Sequence, residues 1–365
     1  MMTHLNFEAS FVIDVYNTAK SMSTHASHSC CESKRWYQKK VWWVVTACFV
    51  LGAVSRAFPP SEAFAGAFWD YVGKIFWPVT LGLAIGGMMD RYVPKEYVSR
   101  LLARPKKRTV FYAAGLGLLA SACSHGILAL SMELHKKGAS GPAVISFLLA
   151  SPWANFPVTL LLVGLFGWKG FLIILAALLV AINTGLILQC LDQRGWIEKN
   201  RNTVAAEGPF SIRLDFRKRI RNYHFSWKQF TQDIVQIGRS TVALCEMVLG
   251  WVTFGVLLAS LAQAYVPAHW FHTYLGPGLG GLLVTLGIAT VLEVCSEGTA
   301  PLAFEIYRNT QALGNSFVFL TAGVLTDYTE IGLVWQNVGR KTSLWMVLAG
   351  VPQILILGYL FNRIF

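Results

Sequence analysis

Cys123-Ser124-His125-Gly126-Ile127-Leu128-Ala129-Leu130 recurs half a chain later as Cys295-Ser296-Glu297-Gly298-Thr299-Ala300-Pro301-Leu302. Sliding the chain against itself by 172 positions lays Cys123 on Cys295, Ser124 on Ser296, Gly126 on Gly298, Leu130 on Leu302 and Glu133 on Glu305 without a gap. The same shift carries on through Phe147 and Phe319, Leu148 and Leu320, Ala150 and Ala322, Gly167 and Gly339, and Lys169 and Lys341. Shared apolar composition produces some coincidences, but not Cys-Ser-x-Gly on Cys-Ser-x-Gly. The chain therefore reads as two related halves.

The 365 residues are 54% hydrophobic and 14% charged, with a mean hydropathy of +0.48, a balance suited to lipid rather than water. Several stretches reach the roughly 20 apolar residues that cross a bilayer core. The net charge of +12 sits beside these stretches, at Lys34-Arg35, Lys39-Lys40, Lys106-Lys107-Arg108 and Arg217-Lys218-Arg219. That distribution follows the positive-inside rule and implies a lipid bilayer as partner, not nucleic acid. The seven cysteines lack a disulfide spacing and read as free thiols. Cys48, Cys190 and Cys245 suit a small apolar filler. No cleavable leader pattern opens the chain, so the first apolar run is expected to remain as an anchor.

Four segments follow. Residues 1–40 form a polar tail, expected to be cytoplasmic, whose His25, His28, Cys30 and Cys31 concentrate metal-ligating side chains; a tail without function suits that short tract equally. Residues 41–191 form an N-terminal membrane half, 192–240 a basic cytoplasmic loop and 241–365 a C-terminal membrane half. In the first half, spans are expected at Val41 to Phe58, Trp69 to Met89, Pro142 to Gly167 and Phe171 to Leu191, with an interfacial amphipathic segment from Asp90 to Arg108. The apolar stretch Val110 to Leu134 has two basic ends and carries the first Cys-Ser-x-Gly in its middle. It suits either a re-entrant hairpin with arms of about 18 Å or an unbroken span. Pro152 and Pro157 predict a break in the span beginning at Pro142. In the second half an interfacial helix is expected over Trp227 to Ile237. Spans follow at Val242 to Val266, Phe317 to Val338 and Leu344 to Phe361, with a half-length arm at Leu282 to Val294.

The first hairpin ends in His135-Lys136-Lys137 and the second in the less basic Tyr307-Arg308-Asn309, which predicts mouths on opposite faces. The expected fold is an all-α polytopic membrane protein of two inverted repeats, with broken or re-entrant helices meeting at mid-membrane, an architecture of transporters. The candidate substrate site gathers at the breaks: Cys123, Ser124, His125 and Gly126; Ser151, Pro152 and Asn155; Cys295, Ser296, Glu297 and Gly298; and Asp327. Thiols at Cys123 and Cys295 suit a soft metal or metalloid; packing at a tight turn is the competing reading. Glu297, Asp327 and Glu330 are ionisable groups within apolar sequence and are the candidates for proton coupling. His125 could ligate, accept a proton or simply cap the broken helix.

With these residues in place, the chain resembles the predicted-permease family that includes organoarsenical efflux permeases. The resemblance rests on the two Cys-Ser-x-Gly turns, on Lys136-Lys137-Gly138-Ala139, on Phe147-Leu148-Leu149-Ala150-Ser151-Pro152 with Asn155, and on Cys295 to Leu302. It implies a cytoplasmic-membrane permease and, by family association, export of trivalent organoarsenicals. The chain departs from the family's commoner pattern at His125 and at Thr326-Asp327, which bears on substrate more than on fold. No nucleotide-binding Gly-x-x-x-x-Gly-Lys-Ser/Thr appears, so secondary efflux by alternating access is expected, without a cofactor. An intramembrane enzyme using Cys123 or Ser124 with His125, or a membrane anchor subunit, are the alternatives. Oligomeric state is open.

Overall fold

The computed structural model describes residues 40–55, 61–92, 107–117, 124–136, 138–200, 227–292 and 296–365. Among them the long regular elements are helices, as hydrocarbon demands, because a helix pairs its backbone N–H and C=O groups within its own segment. The first half holds α1 (Lys40–Val54), α2 (Glu62–Tyr92), α3 (Lys107–Gly117), α4 (Ser124–Lys136), α5 (Gly141–Ala154), α6 (Phe156–Phe166) and α7 (Trp168–Gln193). The second holds α8 (Trp227–Tyr265), α9 (Ala268–Tyr274), α10 (Leu279–Leu292), α11 (Ser296–Thr310), α12 (Leu313–Leu325), α13 (Tyr328–Asn337) and α14 (Arg340–Ile364). Residues Val44–Phe365 pack as one unit. Among the described residues, four stretches are long and apolar enough to cross a bilayer: Trp168–Gln193, Thr231–Tyr265, Leu313–Asn337 and Arg340–Ile364.

The repeat is carried by the elements themselves. α3 and α10, α4 and α11, α5 and α12, α6 and α13, and α7 and α14 each begin 172 positions apart. Packing repeats with them: α3 and α4 lie against α5 as α10 and α11 lie against α12, and α7 packs on α5 and α6 as α14 packs on α12 and α13. Gly167 and Gly339, with φ of 61° and 152°, reverse the chain between α6 and α7 and between α13 and α14, a backbone conformation that glycine adopts at little cost.

Each Cys-Ser-x-Gly segment separates two antiparallel arms. α3 runs with α5, because Ser146 Oγ donates to Val110 O at 3.3 Å near the start of α3 and a Cβ on Gly117, at its end, would lie 3.1 Å from the Ser151 backbone. α4 reaches α5 through a tight turn in which Ala139 N donates to Leu134 O, and so runs the other way. The second half repeats this: Thr285 and Thr290 of α10 meet Asn315 and Thr326 in the same order along the chain, while Ser316 Oγ donates to Ala303 O of α11 across a short turn. Both stretches are therefore hairpins whose inner ends abut the breaks of α5–α6 and α12–α13.

The equivalent helices α7 and α14 run antiparallel. The Trp168 ring at the start of α7 lies 5.5 Å from Phe365 at the end of α14, and Gln353 Nε2 donates to Thr184 Oγ1 at 3.1 Å midway. At the far end Glu198, just past α7, accepts from the Lys341 and Thr342 N–H groups at 3.0 and 3.2 Å. The hairpin mouths follow suit. Asn200 Nδ2 donates to His135 O and Ala139 O, holding the mouth of the first hairpin at the C-terminal end of α7. Lys169 Nζ donates to Tyr307 Oη at 2.7 Å, holding the mouth of the second at the N-terminal end of α7. With about 1.5 Å per residue, the 26 residues of α7 put roughly 39 Å between those ends.

Two expectations differ from the structure. The interfacial helix over Trp227 to Ile237 and the span from Val242 fuse into the 39-residue α8. Gly238 is the one glycine at the expected boundary, and a helix-interior glycine costs only about 1 kcal/mol. The span Phe317 to Val338 is interrupted at Thr326 and Asp327, where no proline announces it. The amphipathic segment Asp90 to Arg108 lies largely outside the described residues. By contrast, the break expected near Pro152 and Pro157 is present as a 48° bend between α5 and α6.

Glu198 offers a test of the α7–α14 contact. Burial pushes its carboxyl pKa up, but the N–H groups of Lys341 and Thr342 and the Thr342 hydroxyl outweigh burial and hold it below the usual glutamate range. A depressed folded pKa stabilises above the unfolded value and loses that contribution as pH falls through the folded value. Glu198→Gln is thus expected to lower the melting temperature in detergent at pH 7 and to converge with the parent in acid below the glutamate range. Equal melting at pH 7 would contradict the contact.

Candidate functional site

The breaks form because their sequences release and recapture backbone groups locally. Asn155 ends α5 with extended backbone (ψ 146°), and its Oδ1 accepts from Val158 N at 2.8 Å, capping α6. Its mate Asp327 does the same for α13: Oδ1 accepts from Thr329 N at 2.7 Å, Thr329 Oγ1 at 2.5 Å and Glu330 N at 3.2 Å. Ser151 Oγ donates back to Phe147 O at 2.6 Å, four residues earlier, beside Pro152. These side chains are occupied with the backbone of their own breaks, which is how an interrupted helix survives in a membrane.

The two breaks face each other. Leu149 and Trp153 of α5 and their mates Thr321 and Leu325 of α12 line one crevice, with Ala177, Val180, Val324 and Ile354 around it. This crevice is apolar apart from Thr321 and is too small to hold a solute.

Ser296, Glu297 and Gly298 form the first turn of α11, all buried. Gly298 packs so closely on Gly255 of α8 that a Cβ on Gly255 would run into the Gly298 carbonyl. Glu297 is 1% exposed; Oε2 accepts from Ser296 Oγ at 3.2 Å, and Oε1 has no hydrogen-bond partner among the described residues. A buried carboxylate oxygen left open in an apolar helix bundle is expensive and marks a place for a proton, a cation or a solute donor. Glu330, in the first turn of α13, is also buried.

Cys123 and Cys295 lie outside the described residues, as do His25, His28, Cys30 and Cys31. Ser124, His125 and Gly126 open α4, the position equivalent to that of Ser296 to Gly298 in α11. Among the described residues no three His, Cys, Asp or Glu side chains gather as a metal site. The sequence reading missed Glu305, 1% exposed on α11. Tyr71 Oη donates to its Oε2 at 2.5 Å, and Arg308 and Asn309 donate to its Oε1 at 3.1 and 2.6 Å. Its pairing with Glu133 in the repeat was the available signal.

Several helices long and apolar enough to cross a bilayer mark a multi-pass membrane protein. The chain belongs to the ArsP_1 predicted-permease family, which matches residues 62–363. It is 23% identical over 286 residues to "UPF0718 protein YcgR" of Bacillus subtilis (strain 168), covering 77% of this chain and 90% of that one. It is 21% identical to the "Putative two-component membrane permease complex subunit" of Streptococcus mutans, over 77% of this chain and 88% of that one. It is 25% identical to "Putative permease Rv2963" of Mycobacterium tuberculosis, over 75% of this chain and 70% of that one. No solved structure matches.

Proposed function

We propose that this permease is a secondary exporter of a small soft-metal or metalloid solute of the organoarsenical kind, working by alternating access in the cytoplasmic membrane. The observation that carries the mechanism is the antiparallel run of α7 and α14 with the hairpin mouths at their opposite ends. Equivalent halves that run in opposite directions can exchange conformations and open one central site to either face in turn. The basic residues that follow α7 favour a cytoplasmic face for the first mouth and the C-terminal end of α7. The substrate reading rests on the repeated cysteines, since thiolates favour soft metalloids. Glu297, with an open carboxylate oxygen, is the proton-coupling candidate; Asp327 is committed to its helix cap and suits a positioning role. The Streptococcus mutans relative is named as a complex subunit, so a second membrane component is a partner worth seeking.

Everted vesicles containing the full chain, incubated with trivalent methylarsenite or with antimonite in the medium and compared with and without a proton gradient, test this reading. Accumulation above empty vesicles that weakens when Cys123 or Cys295 is replaced by serine is expected. Accumulation indifferent to both replacements overturns the soft-ligand assignment.

A further inference from the structure

The second hairpin is clamped by the first half at its mouth. Tyr71 of α2 donates to Glu305 of α11, the Tyr71 and Phe304 rings meet edge to face at 6.2 Å, Phe166 of α6 meets Phe304 at 5.4 Å, and Lys169 of α7 donates to Tyr307. Glu305 is buried with both oxygens engaged, so its carboxylate is tied simultaneously to its own helix, through Arg308 and Asn309, and to the other half, through Tyr71. The repeat mate Glu133 is exposed on α4, whereas Glu305 is buried on α11.

We propose that Tyr71 and Glu305 form a gate latch: a positioning pair that holds the mouth at the N-terminal end of α7 shut and biases the permease toward the state open at the opposite, basic-loop face. This rests on the alternating-access reading above. α11 carries both Glu305 and Glu297 in one 15-residue helix, so movement of its mouth end is transmitted to the turn that holds the open carboxylate. Breaking the bond leaves Glu305 buried but short of one donor, a loss that in a buried, charge-assisted case shifts a two-state balance by about tenfold.

The test uses the repeat mates Leu302 and Leu130, each partly buried on its arm. Leu302→Cys is labelled with a membrane-impermeant maleimide in intact cells and Leu130→Cys in everted vesicles, each against the parent chain to subtract native thiols. Adding Tyr71→Phe or, separately, Glu305→Gln is expected to raise Leu302→Cys labelling about tenfold and to lower Leu130→Cys labelling in the same protein. Mere loosening of the fold raises both rates, and that outcome overturns the latch. Labelling from opposite faces with rates unmoved by either substitution also overturns it while leaving alternating access intact. Both thiols labelled from one face sinks the inverted arrangement itself, and the latch with it.

Discussion

Gly255→Val is expected to abolish transport and to cut the yield of folded protein severely. The first turn of α11 seats on α8 with backbone against backbone: a Cβ at Gly255 would collide with the Gly298 carbonyl, carbonyl carbon and Cα. A flexible side chain could yield to such an intrusion, but a helical backbone packed on three other helices cannot do so without moving Glu297. Overpacking of this kind costs roughly 3 kcal/mol, and more where backbone must shift. Gly66→Ala serves as the control, since nothing lies within 4 Å of a Cβ there. Size-exclusion profiles in detergent should show Gly66→Ala eluting as the parent does and Gly255→Val aggregating or eluting early. Parent-like elution and transport in Gly255→Val would show that α11 is not seated as described.

Glu297→Gln is expected to remove the response of transport to a proton gradient. Glu297 is 1% exposed, and its Oε1 has no hydrogen-bond partner among the described residues. Glutamine preserves the shape of the first turn, including an oxygen that accepts from Ser296, but cannot titrate. In everted vesicles the gradient-driven rate should fall by about tenfold or more, while solute exchange without a gradient persists, because binding and conformational exchange need not release a proton. If gradient-driven transport in Glu297→Gln matches the parent, proton coupling resides elsewhere.

Much of this was legible in the sequence, for identifiable reasons. The repeated helix starts and the broken α5–α6 span follow from apolar periodicity, paired motifs and two prolines, signals that act locally. The break at Thr326 and Asp327 was not legible, because Asp327 makes it by side-chain capping and the surrounding run stays apolar. The continuity of α8 was not legible because the polar residues before Gly238 read as a separate interfacial helix, whereas one 39-residue helix covers both segments. Of the candidate site, Glu297 is buried, and Asn155 and Asp327 each cap the helix that follows its break. Glu305 escaped notice because its significance depends on Tyr71, 234 positions away, and no local pattern brings those two together.

The inverted arrangement of the halves is the central claim, and side-specific labelling addresses it most directly. Lys136 closes α4 and Thr310 closes α11, at the two ends of α7. Lys136→Cys should react with an impermeant maleimide only in everted vesicles, and Thr310→Cys only in intact cells. Reaction of both from the same face would contradict the account.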